Sequence, residues 1–169
     1  MVFSWLFGEK DKKKDPEQEP GAPDVASLLQ QAEEATRARE SDRAEALCRR
    51  ILQLAPGSAE AWTLLGVNLI RRGMSDPELR TEAVLAWTRA LALRPDSLRA
   101  SEHLGVEVEF PDELVSRLVA RLADAPPIGE DAATALSRIG GRARAAIRSA
   151  AESNGPAAER ARQLLATLN

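Results

Sequence analysis

The 169-residue sequence predicts an all-α protein. Three observations carry that expectation. The apolar residues are mostly Ala, Leu and Val, and together with straight-chain polar residues they favour helix. Aromatic residues make up only 4% of the chain and Tyr is absent, so the side chains that favour strands are scarce. Apolar residues recur at three- and four-residue spacing between capping residues and prolines, the pattern of amphipathic helices with marked ends.

The elements follow in order. Residues 1–8, MVFSWLFG, hold Phe3, Trp5 and Phe7, three of the six aromatic residues, with Leu6 among them. Residues 9–24, EKDKKKDPEQEPGAPD, contain all four lysines, Lys10, Lys12, Lys13 and Lys14. This stretch is charged, punctuated by proline and without an apolar face, so it is expected to be a disordered linker. Asp24 caps a first helix running to about Arg39, and Ser41 or Asp42 starts a second that Pro56 and Gly57 stop. Ser58 caps a third, ending at Gly73. Ser75-Asp76-Pro77-Glu78 reads as a capping box with proline in the first turn, opening a fourth that runs to Leu93. Pro95 closes it and Asp96 caps a fifth. Pro111 opens a sixth, with Leu114, Val115, Leu118, Val119 and Leu122 along one face. Three more are expected at about 129–139, 142–152 and 156–168, separated by Gly140-Gly141 and Asn154-Gly155-Pro156.

Two segments, AEALCRRILQLAPGSAEAW (44–62) and AVLAWTRALALRPDSLRAS (83–101), share a plan: a small-residue helix, a proline, then a capped new helix. Between them stands Trp62-x-x-Leu65-Gly66-x-x-Leu69, followed by Ala83-x-x-x-Trp87-x-x-Ala90 and Pro95. This resembles the tetratricopeptide repeat, whose pattern runs W-x₂-L-G-x₂-Y, A-x₃-F, then P. Leu69 replaces the Tyr and Trp87 the Phe. From Pro56 to Pro95 the spacing is 39 residues where the family repeat has 34, and the extra residues fall between Gly73 and Ala83. A weaker unit covers about 25–57, with Cys48 at the aromatic place, and a fragment begins at Asp96. The C-terminal stretch ATALSRIGGRARAAIRSAAESNGPAAERARQLLATL is similar to a HEAT-like repeat.

The resemblance implies a right-handed α-solenoid of antiparallel helix pairs over 25–110, capped by C-terminal helices over 111–169. It also implies that Trp62, Leu65, Gly66, Ala83, Trp87, Ala90 and Pro95 pack the repeats. The inner groove of such a stack holds a peptide of a partner protein. Its inner positions here are Glu33, Thr36 and Arg37; Thr63, Val67, Ile70 and Arg71; and Arg99, Glu102 and Val106. Thr63 and Val67 stand where the family's carboxylate clamp has Lys and Asn, so a peptide's terminal carboxylate is not the expected ligand.

Chemistry for catalysis is not apparent, and no enzyme, cofactor, metal site or small-molecule substrate is expected. Phosphate loops, Rossmann glycines and a serine elbow are absent, and one His and one Cys cannot build a zinc site. His103 reads as a partly exposed surface residue, Cys48 as a small core hydrophobe. The net charge of −3 with mixed signs offers no concentrated basic surface for nucleic acid. Six arginines in 129–169 (Arg138, Arg142, Arg144, Arg148, Arg160 and Arg162) face four acids, either as solvated surface or as a patch for an acidic partner.

The sequence is therefore expected to be a cytoplasmic, non-catalytic adaptor for another protein or a multiprotein assembly. No apolar run approaches the ~20 residues of a membrane span, and the opening stretch lacks the marks of a signal peptide. Its aromatic start has three readings: a peptide hook for a partner's groove, insertion at an anionic membrane surface beside Lys10–Lys14, or folding back over the chain's own helices. The membrane reading makes the protein a peripheral component of the inner membrane face, with the helices as spacer or recruiter.

Overall fold

The computed structural model describes residues 24–106 and 112–168. The expectations for residues 1–23, Pro111 as a helix opener, and the Val106 side chain lie outside the described part. Among the described residues the protein is entirely helical, without strands. Its elements are α1 (Val25–Arg37), α2 (Ser41–Leu54), α3 (Ala59–Arg72), α4 (Pro77–Leu93), α5 (Leu98–Val106), α6 (Asp112–Arg121), α7 (Ile128–Ile139), α8 (Arg144–Glu152) and α9 (Ala158–Thr167), with a 3₁₀ turn at Gly140–Arg142.

Helix starts depend on which side chain reaches an orphan N–H. Asp24 accepts from Ala26 N at 3.2 Å and Ser58 accepts from Ala61 N at 3.3 Å, as the sequence suggests. Two starts differ from the expected ones. Asp76, not Ser75, caps α4, its Oδ1 accepting from Glu78 N at 2.9 Å and from Leu79 N at 3.4 Å. Ser97, not Asp96, serves α5, its Oγ accepting from Ala100 N at 3.4 Å. In each case the residue adjacent to the first helical position is the one in reach. The sixth helix also ends earlier than expected, at Arg121.

Short connections over 38–40, 55–58, 73–76 and 94–97 make α1 to α5 antiparallel neighbours in chain order. The starts of α1, α3 and α5 and the ends of α2 and α4 therefore share one end of the stack. Helix α4 also touches α6 and α7; α6 lies against α7, α8 against α6 and α9, and α9 against α7. Buried apolar residues from Leu28 to Leu164 form one contiguous core.

Trp87 is the largest side chain in that core, 1% exposed. Its indole N–H donates to Thr63 O at 3.2 Å, tying α4 to α3. Gly66 of α3 lies beneath it, and a Cβ there would overlap the indole. On its other side the ring stacks on His103 of α5, centroids 5.2 Å apart and planes at 12°. His103 is partly exposed, as the sequence suggests, with one ring face against the indole. Leu65, Ala83 and Ala90 are buried with Trp87, whereas Pro95 is exposed in the turn after α4.

Candidate functional site

An open cleft of about 470 Å³ lies among the described residues. Three consecutive helices supply its floor: Leu52 from α2, Trp62 and Leu65 from α3, Leu85 and Ala86 from α4. The start of α7 closes one side with Pro127 and Ile128. Trp62 is half-buried and its N–H donates to Pro56 O at 2.9 Å, so its polar edge is satisfied and its ring face is left for the cleft. Ile128 is 43% exposed, a large apolar side chain left uncovered at the cleft wall.

Charges ring this floor. Arg49 of α2 donates to Glu45 Oε1 at 2.9 Å and to Glu82 Oε1 of α4 at 2.8 Å. Burial opposes the Arg49 charge, but the hydrogen bonds to Glu82 and Glu45 prevail and hold its pKa above the usual arginine value. Glu45 also pairs with Arg72 of α3, which reaches Asp42 at 2.9 Å. Burial alone would raise the Glu45 carboxyl, yet the hydrogen bonds from Arg49 and Arg72 outweigh it and hold the pKa below the ordinary value. On the opposite rim Arg89 of α4 donates through Nε to Asp131 Oδ2 of α7 at 2.9 Å, while its buried Nη2 makes no hydrogen bond. Burial pushes the Asp131 carboxyl above its ordinary value in spite of Arg89. Arg121 completes the rim, paired with Glu78 and Asp124.

The positions assigned to an inner groove are divided by the structure. Thr36, Thr63 and Val67 are buried. Thr36 Oγ1 donates to Ala32 O at 2.7 Å and accepts from Asn68 Nδ2 at 2.8 Å, while Thr63 Oγ1 donates to Ala59 O at 2.8 Å. Arg71 donates to Thr36 O at the end of α1. Ile70 is half-buried. Glu33 and the exposed Arg37 form an i,i+4 pair at 3.1 Å, and Arg99 and Glu102 are exposed on α5. On this side Glu33, Glu60, Thr63, Arg94 and Arg99 line a smaller polar hollow of about 190 Å³.

The C-terminal arginines also divide. Arg160 donates to Leu122 O and Asp124 O just beyond α6, Arg162 to Ala151 O at 3.1 Å, and Arg144 to Leu168 O. These three neutralise carbonyl-rich helix ends, where cations are favoured. Arg138, Arg142 and Arg148 are exposed.

The cleft lining holds no Ser, Thr, Cys, His or Lys. Cys48 lies behind it in the core, and burial pushes its thiol up to about 12, far from the thiolate needed for reactivity. Among the described residues no cluster of three or more His, Cys, Asp or Glu could hold a metal ion, and no helix is long and apolar enough to cross a membrane. The arrangement suits apolar contact with a charged margin, the anatomy of a protein-binding surface. Compared with protein-family models, curated proteins and solved structures, the chain matches none.

Leu52, Leu85, Arg89 and Asp131 were not among the residues singled out in the sequence. Leu52 and Leu85 stand in apolar helical stretches with nothing local to mark them, and Arg89 and Asp131 are 42 residues apart, so no local signal joins them.

Proposed function

We propose that the protein is a non-catalytic adaptor that holds an apolar segment of a partner protein in the α2–α3–α4–α7 cleft. In this reading α1 to α5 are tetratricopeptide-type hairpins of a right-handed solenoid, and α6 to α9 are its HEAT-like cap. The N-terminal aromatic segment gives a second contact. The observation that carries the proposal is an open cleft with an apolar floor and a paired, charged rim, set in a helical body. An adaptor with a single buried, reduced thiol is at home in the cytoplasm.

The test is capture of partners by the full chain against two variants whose fold is verified by circular dichroism. Leu85→Arg places a charge on the cleft floor, and Arg99→Ala/Glu102→Ala alters the opposite face. Loss of the captured protein with the first variant alone supports the cleft. Loss with the second alone moves the site to the inner face. Co-sedimentation of the full chain with anionic vesicles, abolished by deleting residues 1–8, would support the membrane-anchored alternative; equal pelleting of both chains ends it.

A further inference from the structure

We infer that, in the free protein, the chain's own N-terminal segment MVFSWLFG lies in the α2–α3–α4–α7 cleft of the same molecule and must be displaced before a partner binds. The inference rests on the reading of that cleft as a docking surface and names its resident occupant.

Topology places the segment's point of attachment. The described chain starts at Asp24, immediately before α1, at the end of the stack shared by the end of α2 and the start of α3. That is the end at which Leu52 and Trp62 enter the cleft. It is also where uncovered apolar side chains gather. Leu54, Leu93 and Leu98 are 53%, 41% and 77% exposed at the ends of α2 and α4 and the start of α5. With Ile128 in the cleft wall, they account for four of the five exposed large hydrophobic residues of the described chain, Met74 being the other.

Length permits the return. Residues 9–23 can span up to about 50 Å when extended, whereas the 14-residue α2 is about 21 Å long. Any part of the cleft is therefore within reach of the same molecule, and so short a tether gives an effective concentration in the millimolar range.

Chemistry matches as well. The first eight residues carry no charged side chain and present Phe3, Trp5, Leu6 and Phe7, so they can cover Leu52, Trp62 and Leu85 without burying a side-chain charge. Lys10 and the lysines after it remain at the mouth, in water.

Paramagnetic relaxation in the full chain tests this. Ser4→Cys is labelled with a nitroxide; buried Cys48 is protected from the reagent. The expected result is severalfold loss of methyl signal at Leu52, Leu65, Leu85 and Ile128. The loss persists on dilution and disappears in the Phe3→Ser/Trp5→Ser/Phe7→Ser version of the labelled chain. Broadening confined to α1, or retained in the triple variant, overturns the inference. So does broadening that passes to unlabelled copies in a mixed sample, which would make the occupant a second molecule. If Leu85→Arg abolishes partner capture while the labelled chain shows no cleft broadening, the resident segment is rejected and the docking surface stands. If broadening is present while Leu85→Arg leaves capture intact, the segment is in place and the adaptor reading of the cleft fails.

Discussion

Arg39 has φ 61°, the left-handed region, and is the only non-glycine residue there among the described ones. It follows the end of α1 in a complete Schellman arrangement. Glu40 N donates to Ala35 O at 2.9 Å and Arg39 N to Thr36 O at 3.2 Å. A side chain at such a position costs about 1–2 kcal/mol. Glycine removes that strain but adds freedom to the unfolded chain, an opposing effect of about 0.4–1 kcal/mol. Arg39→Gly should therefore raise stability by up to about 1 kcal/mol, or roughly 2–4 °C in Tm. A fall in Tm would show that the arginine side chain contributes more than its backbone conformation costs. Gly66 gives the converse case, because the indole of Trp87 occupies the place of its missing Cβ. Gly66→Ala should destabilise by about 1–3 kcal/mol. Gly57→Ala, with open space around it, should stay within about 0.5 kcal/mol. Chemical denaturation of the two variants side by side measures the difference.

Along the helices, the ion network on α2 makes stability depend on pH. Asp42 and Glu45 of α2 meet Arg72 of α3, and Arg49 of α2 meets Glu82 of α4, so one chain of charges spans three helices. Glu45 has a lowered pKa, so its stabilisation is fully present above the unfolded value of about 4.5 and is lost as pH falls through the folded value. Glu45→Gln should thus be less stable than the parent at neutral pH, and the gap should close on acidification below that range. A gap of constant size from pH 7 to pH 3 would mean that packing, not ionisation, is what the substitution removes. Much of this element scale is legible in the sequence. Pro56, Pro95, the Asp24 and Ser58 caps and the apolar spacing each act within a turn or two, so local residues suffice to place them. The cleft was not legible, because its walls come from α2, α3, α4 and α7 and meet only after the helices pack. The six C-terminal arginines look alike in the sequence. What separates Arg160 from Arg148 is the nearby carbonyl end of a different helix. The stacking of His103 on Trp87 was not legible for the same reason, since the two rings meet across the α4–α5 connection.

Across the whole molecule, the question is whether α6 to α9 form a separate unit or part of one. The apolar core runs unbroken from Leu28 in α1 to Leu164 in α9. Polar ties cross the same boundary: Arg117 and Arg121 of α6 both reach Glu78 of α4, and Arg89 of α4 reaches Asp131 of α7. The first of these lies at the surface and adds little, whereas Arg89 and Asp131 are largely buried. Asp131→Ala leaves the largely buried Arg89 without the one side-chain hydrogen bond it makes among the described residues and should destabilise by about 1–3 kcal/mol. Because the core is shared, that loss should fall on the entire described body, not on α7 alone. Helicity reports every element, while in a Trp5→Phe background the remaining Trp62 and Trp87 report α3 and α4. Thermal melts followed by circular dichroism and by tryptophan fluorescence should coincide in the parent and shift together in Asp131→Ala. A variant in which helicity falls first, with fluorescence holding to the parental Tm, would establish that the C-terminal helices unfold on their own.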